Sequence, residues 1–450
     1  MKTISAKHVS TKRIVVVGGG YAGFYTAWGL ERRLRRGEAS VTVIDPAPYM
    51  TYQPFLPEVA AGSIEARHAV VPLRRHLRRT EVVSGRATSI DHGSRTVTVR
   101  LVDGSTTTIG YDEVVVTAGA VTRVHPVPGV ADAAIGLKRI EEAVAIRDAV
   151  LTAFDEAASL PPGAARSRRL TVTFIGGGFA GVEGFAEVLS LAHALIRSHP
   201  ELSRDEVTFH LVDAGDHLLP EVGPRAREWV RRHLERRGAL VHLRTTVTSL
   251  VGGNVTLSTG ETFESGLVVW TAGITANPVI ARHTDLPIDD RGLVVVRPDL
   301  RVGTVEDPVD HAWAAGDDAA VPDLARERGA YTVPNAQHAV RQGKRLATNL
   351  VATLRGRRPR DYRHRSLGVI ATLGLGHGIF QSGPVTITGF PAWVVHRGYH
   401  VLAVPTWERK LRVSIGWLGG LVLGRDIASL QTVQQPRAAF REDAGQRRLA

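Results

Sequence analysis

The sequence predicts an α/β protein that contains two similar domains, each with a parallel sheet. A glycine-rich pattern occurs twice, beginning at Gly18 and at Gly176, and each copy lies between an apolar strand and a helical pattern. A further apolar strand follows each copy and ends in an aspartate, Asp45 or Asp213. Strand, glycine turn, helix and acid together are the signature of a Rossmann-like dinucleotide-binding domain. We therefore expect two such domains in one chain.

The first glycine turn follows the strand 14–17 and opens a helix. Glycines at this spacing let the backbone approach a pyrophosphate, and the helix N-terminus adds a partial positive charge. Asp45 is placed to accept a hydrogen bond from a ribose hydroxyl. The second turn follows the strand 170–175, with Asp213 in the corresponding place. The chain is therefore predicted to serve two nucleotide cofactors.

The composition indicates a basic, soluble protein: 450 residues, 43% of them hydrophobic, with a net charge of +12 and no cysteine. The lack of cysteine excludes disulfides, cysteine metal sites, flavin attachment through cysteine and a redox-active dithiol, and no metal site is predicted. The basic surface favours an anionic lipid partner or a solvated arginine-rich face. Nucleic acid is not expected as a partner, because neither a base-stacking module nor a zinc pattern is present.

The sequence predicts neither a secretory signal nor a transmembrane helix. Residues 1–12 are polar and basic and lack an apolar core, which a signal peptide requires. A run of 18 or more apolar residues without charge, which a spanning helix requires, is not found. The tails 1–11 and 434–450 are expected to be flexible.

The first predicted domain, 12–130, contains a proline-rich loop at 46–62. The loop is expected to be ordered and to run along a flavin ring, and the alternative is a rigid connection. The buried strand 111–116 ends in Thr117-Ala-Gly119, whose small side chains let the backbone approach a ligand. The other elements expected here are a helix at 69–79 and strands at 81–88, 96–101 and 107–109.

The second predicted domain, 168–280, follows a crossover, a helix and a linker, predicted at 125–129, 140–158 and 161–169. It ends in Thr-Ala-Gly273, a near copy of the end of the strand 111–116. The chain then returns to the first domain over 290–365. A strand there ends at Gly316-Asp317, where an aspartate suits a hydrogen bond to a ribityl hydroxyl or, alternatively, caps a helix.

A helix is predicted to open within 331–343. Gln337 and Arg341 are four residues apart and share a face, and His338 and Gln342 share the neighbouring face. Polar side chains at a positive helix end could meet the reducible edge of a flavin, and the alternative is a solvated helix face.

The region 366–430 differs in residue pattern from the rest of the chain. It begins with glycine-punctuated strands and continues with three tryptophans interspersed with arginine, lysine and histidine. Apolar faces with aromatic and cationic rims suit helices that lie in a membrane interface. The alternatives are a helical pair packed on the protein's own core and a dimer surface.

Taken together, these motifs resemble those of the type II NADH:quinone oxidoreductases, single-subunit NADH dehydrogenases that do not pump protons. The resemblance spans about residues 12–430 and implies non-covalent FAD, NADH as the donor, a membrane quinone as the acceptor and a C-terminal segment that docks on the bilayer. The motifs that carry it are the two glycine patterns and the segments 51–58, 269–273, 315–317 and 336–343.

The resemblance also implies roles for individual residues. It places Glu183 near the flavin and the nicotinamide, and it places Gln337 and Gln342 on the two glutamines of the quinone-site motif. The chain departs from the motif at Arg341, where glutamine is usual, and a cation there would favour an anionic acceptor. It also departs at His396 and His400 in the C-terminal segment.

Three groups of site residues follow from the motifs and the resemblance. The predicted FAD contacts are Gly18, Gly20, Tyr21, Ala22, Gly23, Asp45, Gln53, Thr117, Ala118, Gly119, Gly316, Asp317, Ala336 and Gln337. The predicted NADH contacts are Gly176, Gly178, Phe179, Gly181, Glu183, Asp213, Ala272 and Gly273. The predicted catalytic residues are Glu183, Gln337, Arg341 and Gln342.

We therefore expect a FAD-dependent oxidoreductase that passes hydride from NADH to FAD and then two electrons to a membrane quinone, without proton pumping. It is expected at the cytoplasmic face of the cell membrane as a peripheral protein, and a homodimer is common in the family. One alternative is a soluble NAD(P)H-dependent flavin reductase that passes electrons to an iron-sulfur protein or to oxygen. Another is a nucleotide-binding redox sensor with little turnover.

Overall fold

The computed structural model describes residues 11–327, 329–366, 368–429, 437, 440 and 441. The chain forms two compact units. The first comprises 1–51, 70–121 and 274–366, and the second comprises 52–69, 122–273 and 367–450. Residues 1–10 and most of 434–450, predicted as flexible tails, lie outside the described residues.

The helices and strands are numbered in chain order. The α-helices are α1 (Tyr21–Arg33), α2 (Leu56–Ala60), α3 (Leu73–His76), α4 (Val130–Ala133), α5 (Ile140–Ala158), α6 (Ala164–Arg169), α7 (Phe179–Ile196), α8 (Pro224–Glu235), α9 (Pro278–Arg282), α10 (Ala336–Leu354), α11 (Phe390–Ala403) and α12 (Trp407–Leu423). The strands are β1 (Lys12–Val17), β2 (Ala39–Asp45), β3 (Tyr49–Thr51), β4 (Val70–Pro72), β5 (Thr80–Asp91), β6 (Thr96–Leu101), β7 (Thr106–Gly110), β8 (Glu113–Val116), β9 (Ala120–Thr122), β10 (Ala134–Gly136), β11 (Thr171–Ile175), β12 (Thr208–Val212), β13 (Ala239–His242), β14 (Val247–Ser249), β15 (Asn254–Leu257), β16 (Thr262–Glu264), β17 (Leu267–Trp270), β18 (Ile274–Ala276), β19 (Val294–Val295), β20 (Arg301–Gly303), β21 (Pro308–Ala314), β22 (Ala319–Ala320), β23 (Val369–Thr372), β24 (Gly378–Ser382) and β25 (Val385–Thr388).

The first unit is built on a sheet with the strand order β20-β21-β8-β1-β2-β5-β6-β7. Strand β1 pairs in parallel with β2 and β8, and β8 pairs in parallel with β21. The central strands are continuous apolar runs because both faces of the sheet are covered. Helix α1 packs against α10, where the Thr26 hydroxyl donates to the carbonyl oxygen of Gly343 at 3.2 Å.

The second unit contains a parallel sheet with the strand order β10-β17-β11-β12-β13. All five residues of β11 are buried, and α5 and α7 pack against this layer. The C-terminal region adds the antiparallel sheet β23-β24-β25, against which α11 packs. The predicted α/β class with two Rossmann-like domains is therefore confirmed.

Several sequence predictions of local structure are confirmed, and two are wrong. The helix predicted at 140–158 is α5. The helix predicted at 69–79 is instead β4 followed by the short α3, because β4 pairs with β3 in an antiparallel ladder. The linker predicted at 161–169 contains α6, and the buried Arg166 guanidinium of this helix lies 2.8 Å from the Glu206 carboxylate.

The unit boundaries also differ from the predicted domains. Residues 52–69, predicted within the first domain, belong to the second unit. Every residue of α2 in this segment is buried, and α2 packs against α5 and α7. Burial of this apolar turn assigns the segment to the second unit, a contact distant in sequence that local patterns do not reveal.

We predict that Gly23→Ala destabilises the first unit whereas Gly20→Ala does not. A Cβ atom at Gly23 would overlap the carbonyl oxygen of Gly18, whereas a Cβ atom at Gly20 would meet nothing within 4 Å. Such overpacking costs about 2 kcal/mol or more. Urea unfolding of both variants measures the effect, and equal stability of the two would contradict the prediction.

Candidate functional site

The first glycine turn is held by a carboxylate. Oδ2 of Asp45 accepts from the backbone N–H of Gly19 at 2.6 Å, and Oδ1 accepts from that of Ala47 at 2.7 Å. Burial raises the pKa of Asp45. The Thr117 hydroxyl lies 3.0 Å from the carbonyl oxygen of Val17 and closes β8 onto the turn. The acid predicted to face a ribose therefore also fixes the turn's own backbone.

The second glycine turn repeats this arrangement. Oδ2 of Asp213 accepts from the N–H of Gly177 at 2.5 Å, and Oδ1 accepts from that of Gly215 at 2.7 Å. The Thr271 hydroxyl donates to the carbonyl oxygen of Ile175 at 2.8 Å. The internal repeat seen in the sequence is therefore also a repeat of hydrogen bonds.

Both turns leave an open helix N-terminus. Gly20 is the N-cap residue of α1 and Gly178 that of α7, and neither helix has a side-chain cap. A Cβ atom at either position would meet nothing within 4 Å, so each turn presents backbone N–H groups on an unobstructed side. Open N–H groups at a positive helix end fit a pyrophosphate, so the residues present fit a dinucleotide at each turn.

The predicted contacts divide between the two units. All predicted FAD contacts except Gln53 lie in the first unit, and all predicted NADH contacts lie in the second. Gln53 lies in the second unit, where its side-chain amide donates to the carbonyl oxygen of Lys138 at 3.3 Å. The segment 117–119 is fixed by Asn277, whose amide donates to Ala118 at 3.2 Å.

Gln342, predicted as a catalytic residue, is buried and links two segments of the first unit by hydrogen bonds. Its side chain is 1% exposed, its Oε1 accepts from the N–H of Gly316 at 2.8 Å, and its Nε2 donates to Thr332 at 3.1 Å. Both ends of the amide are therefore engaged, and Gln342 acts by fixing the backbone beside Asp317. Asp317 itself is half-buried and remains accessible.

Gln337 and Arg341 lie half-buried at the start of α10, on one face as predicted. The Arg341 guanidinium donates to the carbonyl oxygen of Gln337 at 3.0 Å. The Gln337 side chain lies 3.4 Å from the ring of His364. The next face is buried, because His338 is hydrogen-bonded to the Tyr362 hydroxyl at 2.8 Å. This helix end therefore presents one amide and one cation beside its first turn.

Asp318 is a residue that the sequence analysis missed. It is fully buried, and its carboxylate faces the backbone N–H groups of Ala118 and Gly119. Burial raises its pKa to about 7. Asp318 directly follows Asp317, the predicted ribityl ligand, and no local pattern distinguishes the two acids.

Glu183 lies in the second turn of α7, where its Oε1 accepts from the N–H of Thr372 at 2.9 Å. Burial raises its pKa to about 8. It belongs to a buried group of three glutamates, Glu58, Glu183 and Glu187, which we call the carboxylate cluster. Glu58 and Glu187 were not among the predicted site residues. Glu187 follows Glu183 by one helical turn on an apolar helix, and this spacing is visible in the sequence.

Two members of the carboxylate cluster are paired with arginine. Oε2 of Glu58 accepts from Arg397 at 2.6 Å and from the Trp417 indole at 2.7 Å. Glu187 lies 3.3 Å from the Arg425 guanidinium. Burying an ionised carboxylate is costly unless a cation is paired with it, so loss of Arg397 or Arg425 would leave an uncompensated buried charge.

Comparison with known proteins identifies relatives along most of the chain. The sequence pattern of the pyridine nucleotide-disulphide oxidoreductase family matches residues 12–343. The type II NADH:quinone oxidoreductase Ndh of Mycobacterium tuberculosis is 28% identical over 420 residues, which cover 90% of this chain and 87% of that protein. The demethylphylloquinone reductase NdbB of Synechocystis is 26% identical over 413 residues, which cover 90% and 95%.

Solved structures show the same fold. The structure of NDH2 from Plasmodium falciparum in complex with NADH superimposes with a TM-score of 0.84 and covers 93% of this chain and 100% of that one. The two sequences are 16% identical, so this likeness concerns the fold alone.

We predict that Asp318→Asn raises the free energy of unfolding above that of the wild type, and that it does so more at pH 8 than at pH 5. Because the folded-state pKa of Asp318 is raised, the native state holds a proton that the unfolded chain loses near pH 4. Wild-type stability therefore falls as the pH rises from about 4 to about 7. Asparagine has no proton to lose, so the variant should gain about 2–4 kcal/mol at pH 8.

Urea unfolding at the two pH values measures this effect. Asp323→Asn is the matched control, because Asp323 is also buried but accepts from the N–H of Ala325 at 3.0 Å. An equal pH dependence in Asp318→Asn and the wild type would contradict the prediction.

Proposed function

The chain belongs to the pyridine nucleotide-disulphide oxidoreductase family, and on that premise we propose that it is a type II NADH:quinone oxidoreductase. The curated relatives confirm the predicted resemblance to these enzymes. It passes hydride from NADH to FAD and two electrons onward to a quinone, without proton pumping. The observation that carries the proposal is the repeated carboxylate-held glycine turn, one copy in each unit.

In this proposal FAD is held by the first unit. The open N-terminus of α1 receives the pyrophosphate, and Asp45 and Asp317 accept hydrogen bonds from the sugar hydroxyls. Gln342 keeps Asp317 in place through Gly316. When bound, FAD supplies the capacity to accept a hydride and to release electrons to a second substrate.

NADH is bound by the second unit across the turn that begins α7. The Asp213 carboxylate faces the adenosine ribose, and its negative charge repels a 2′-phosphate, so NADH is preferred over NADPH. At the start of α10, Gln337 offers an amide for the quinone, and Arg341 stabilises the negative charge that develops on it. The alternatives of a soluble reductase and a redox sensor are not favoured, because the curated relatives are named as quinone oxidoreductases and reductases.

The C-terminal helices support attachment to a membrane surface. Helix α11 buries one face, and the opposite faces of α11 and α12 expose large apolar side chains. The side chains on α12 recur at helical spacing, and Lys410 and Arg412 lie among them. The exposed set is Phe390, Val394, Val395, Leu402, Trp407, Leu411, Ile415, Leu418, Val422 and Leu423. An exposed apolar stripe with a basic rim suits an anionic membrane surface.

We place the protein peripherally on the cytoplasmic face of the cell membrane. Among the described residues, α7 is the helix that is long and apolar enough to span a bilayer, and 67% of it is buried inside the protein, as in a core helix. A homodimer remains a prediction.

The enzymatic proposal predicts rapid oxidation of NADH by the purified, FAD-loaded protein in the presence of a short-chain quinone, with NADH preferred over NADPH. Arg341→Gln should lower quinone-dependent kcat/KM by about tenfold or more, because a stabilising charge is lost. Flavin reduction by NADH alone should be unchanged. Stopped-flow absorbance separates these two half-reactions.

Lys344→Gln is the control for Arg341→Gln, because it removes an exposed cation one turn further along α10. Flavin that NADH reduces but quinone does not reoxidise would overturn the quinone assignment.

The membrane proposal predicts that the protein sediments with vesicles containing anionic lipid. The double substitution Leu411→Gln and Leu418→Gln should release it, because both side chains are more than 60% exposed on α12. The control is Val102→Gln with Val305→Gln, at two apolar positions outside this face that are even more exposed. Release by both pairs, or by neither, would count against docking through α12.

A further inference from the structure

Glu183 differs from the other members of the carboxylate cluster because it has no cationic partner. Among the described residues, no lysine or arginine lies within ion-pair distance of Glu183, whereas Glu58 and Glu187 are each paired with an arginine. The negative charge of Glu187 adds to the effect of burial on Glu183. Burial without a cationic partner favours the protonated form of a carboxyl, so we expect Glu183 to be protonated at neutral pH.

The side chain of His396 lies beside the Glu183 carboxyl group. It is 1% exposed, and its Nε2 lies 3.4 Å from Oε1 of Glu183. Neither ring nitrogen has a hydrogen-bond partner in the described part of the chain. Burial lowers the pKa of His396 to about 3, so the ring is neutral, with one N–H and one lone pair.

Two further side chains continue from His396. The rings of His396 and His400 are 4.4 Å apart, and Nδ1 of His400 lies 3.0 Å from the Tyr52 hydroxyl. Both His400 and Tyr52 are buried. Glu183, His396, His400 and Tyr52 therefore form one row of proton-bearing groups inside the second unit, which we call the histidine row.

The cations that surround the histidine row are engaged elsewhere. Arg397 lies between the rings of Trp393 and Trp417 and is bonded to Glu58. Arg425 faces Glu187 from the segment that follows α12. Arg237, which follows α8, donates to the Ser190 hydroxyl at 2.6 Å. These charges fix the local potential without bonding to Glu183 or to either histidine.

We propose that His396 is the residue through which Glu183 regains its proton, with His400 and Tyr52 as the next groups in the row. In each step, His396 donates its Nε2–H proton to the Glu183 carboxylate and accepts one proton at Nδ1 from the side of His400. The ring stays neutral and ends as the other tautomer, so its Nδ1 proton must return to Nε2 before the next transfer. The proton comes ultimately from solvent. The role in turnover rests on the proposed function, because reducing a quinone to a hydroquinone consumes two protons.

Infrared spectroscopy of the FAD-loaded protein tests this inference without any quinone. The carboxylic acid band lost in Glu183→Gln identifies the protonated Glu183 at pH 7. After transfer to D₂O, the rate at which this band shifts measures proton exchange at Glu183. His396→Gln keeps a polar side chain but cannot pass a proton, so exchange should slow about tenfold or more. His193→Gln, near the other end of α7, is the control and should not change the rate.

Tyr52→Phe is a second variant that removes only a hydroxyl, and it should also slow exchange if His396→Gln does not fold. The absence of a Glu183 acid band at pH 7 would overturn the inference, and so would an unchanged exchange rate in a folded variant. Stopped-flow measurement of quinone-dependent flavin reoxidation then separates the two proposals. Normal band exchange without quinone turnover would contradict the proposed function alone, whereas turnover with unchanged exchange in His396→Gln would contradict the relay alone.

Discussion

Each cofactor turn depends on one interaction, the hydrogen bond from the middle glycine's N–H to the aspartate at the end of the next strand. Asp45 and Asp213 each make this bond and accept a second one from the loop beyond. The bond joins two neighbouring parallel strands at their carboxyl ends, where ligands bind in such sheets. Preorganised N–H groups then cost nothing to orient when a phosphate arrives. Gly18 and Gly176 are required because a Cβ atom at either position would overlap the backbone of Thr117 or Thr271.

The second unit depends on a different balance. Two of the three buried glutamates, Glu58 and Glu187, are held by arginines that reach them from the C-terminal region. A buried ion pair adds little net stability, but loss of one partner leaves an uncompensated charge. Because Glu183 lacks such a partner, it can gain or lose a proton while the ion pairs of Glu58 and Glu187 stay unchanged. Function and packing therefore meet in the same few side chains.

The sequence predicts well what is encoded locally. The strand, glycine turn and helix, and the acid at the next strand end, lie within short windows, and the structure forms both copies. The sequence fails where partners are distant: Glu58 and Arg397 are 339 residues apart, and no local pattern connects them. The burial of Gln342 was missed for the same reason, since its partners Gly316 and Thr332 lie in other elements. The helix predicted at 69–79 failed because pairing with β3 outweighed helix propensity.

The clamp around Arg397 has a mechanical consequence. Its guanidinium lies 4.4 Å from the Trp393 ring on α11 and 4.5 Å from the Trp417 ring on α12, and it is bonded to Glu58 on α2. Pulling the two C-terminal helices away would expose an unpaired buried charge on each side. A membrane surface bound to the exposed stripe of α12 would therefore hold the second unit in a fixed orientation, because Arg397 connects α12 to α11 and α2.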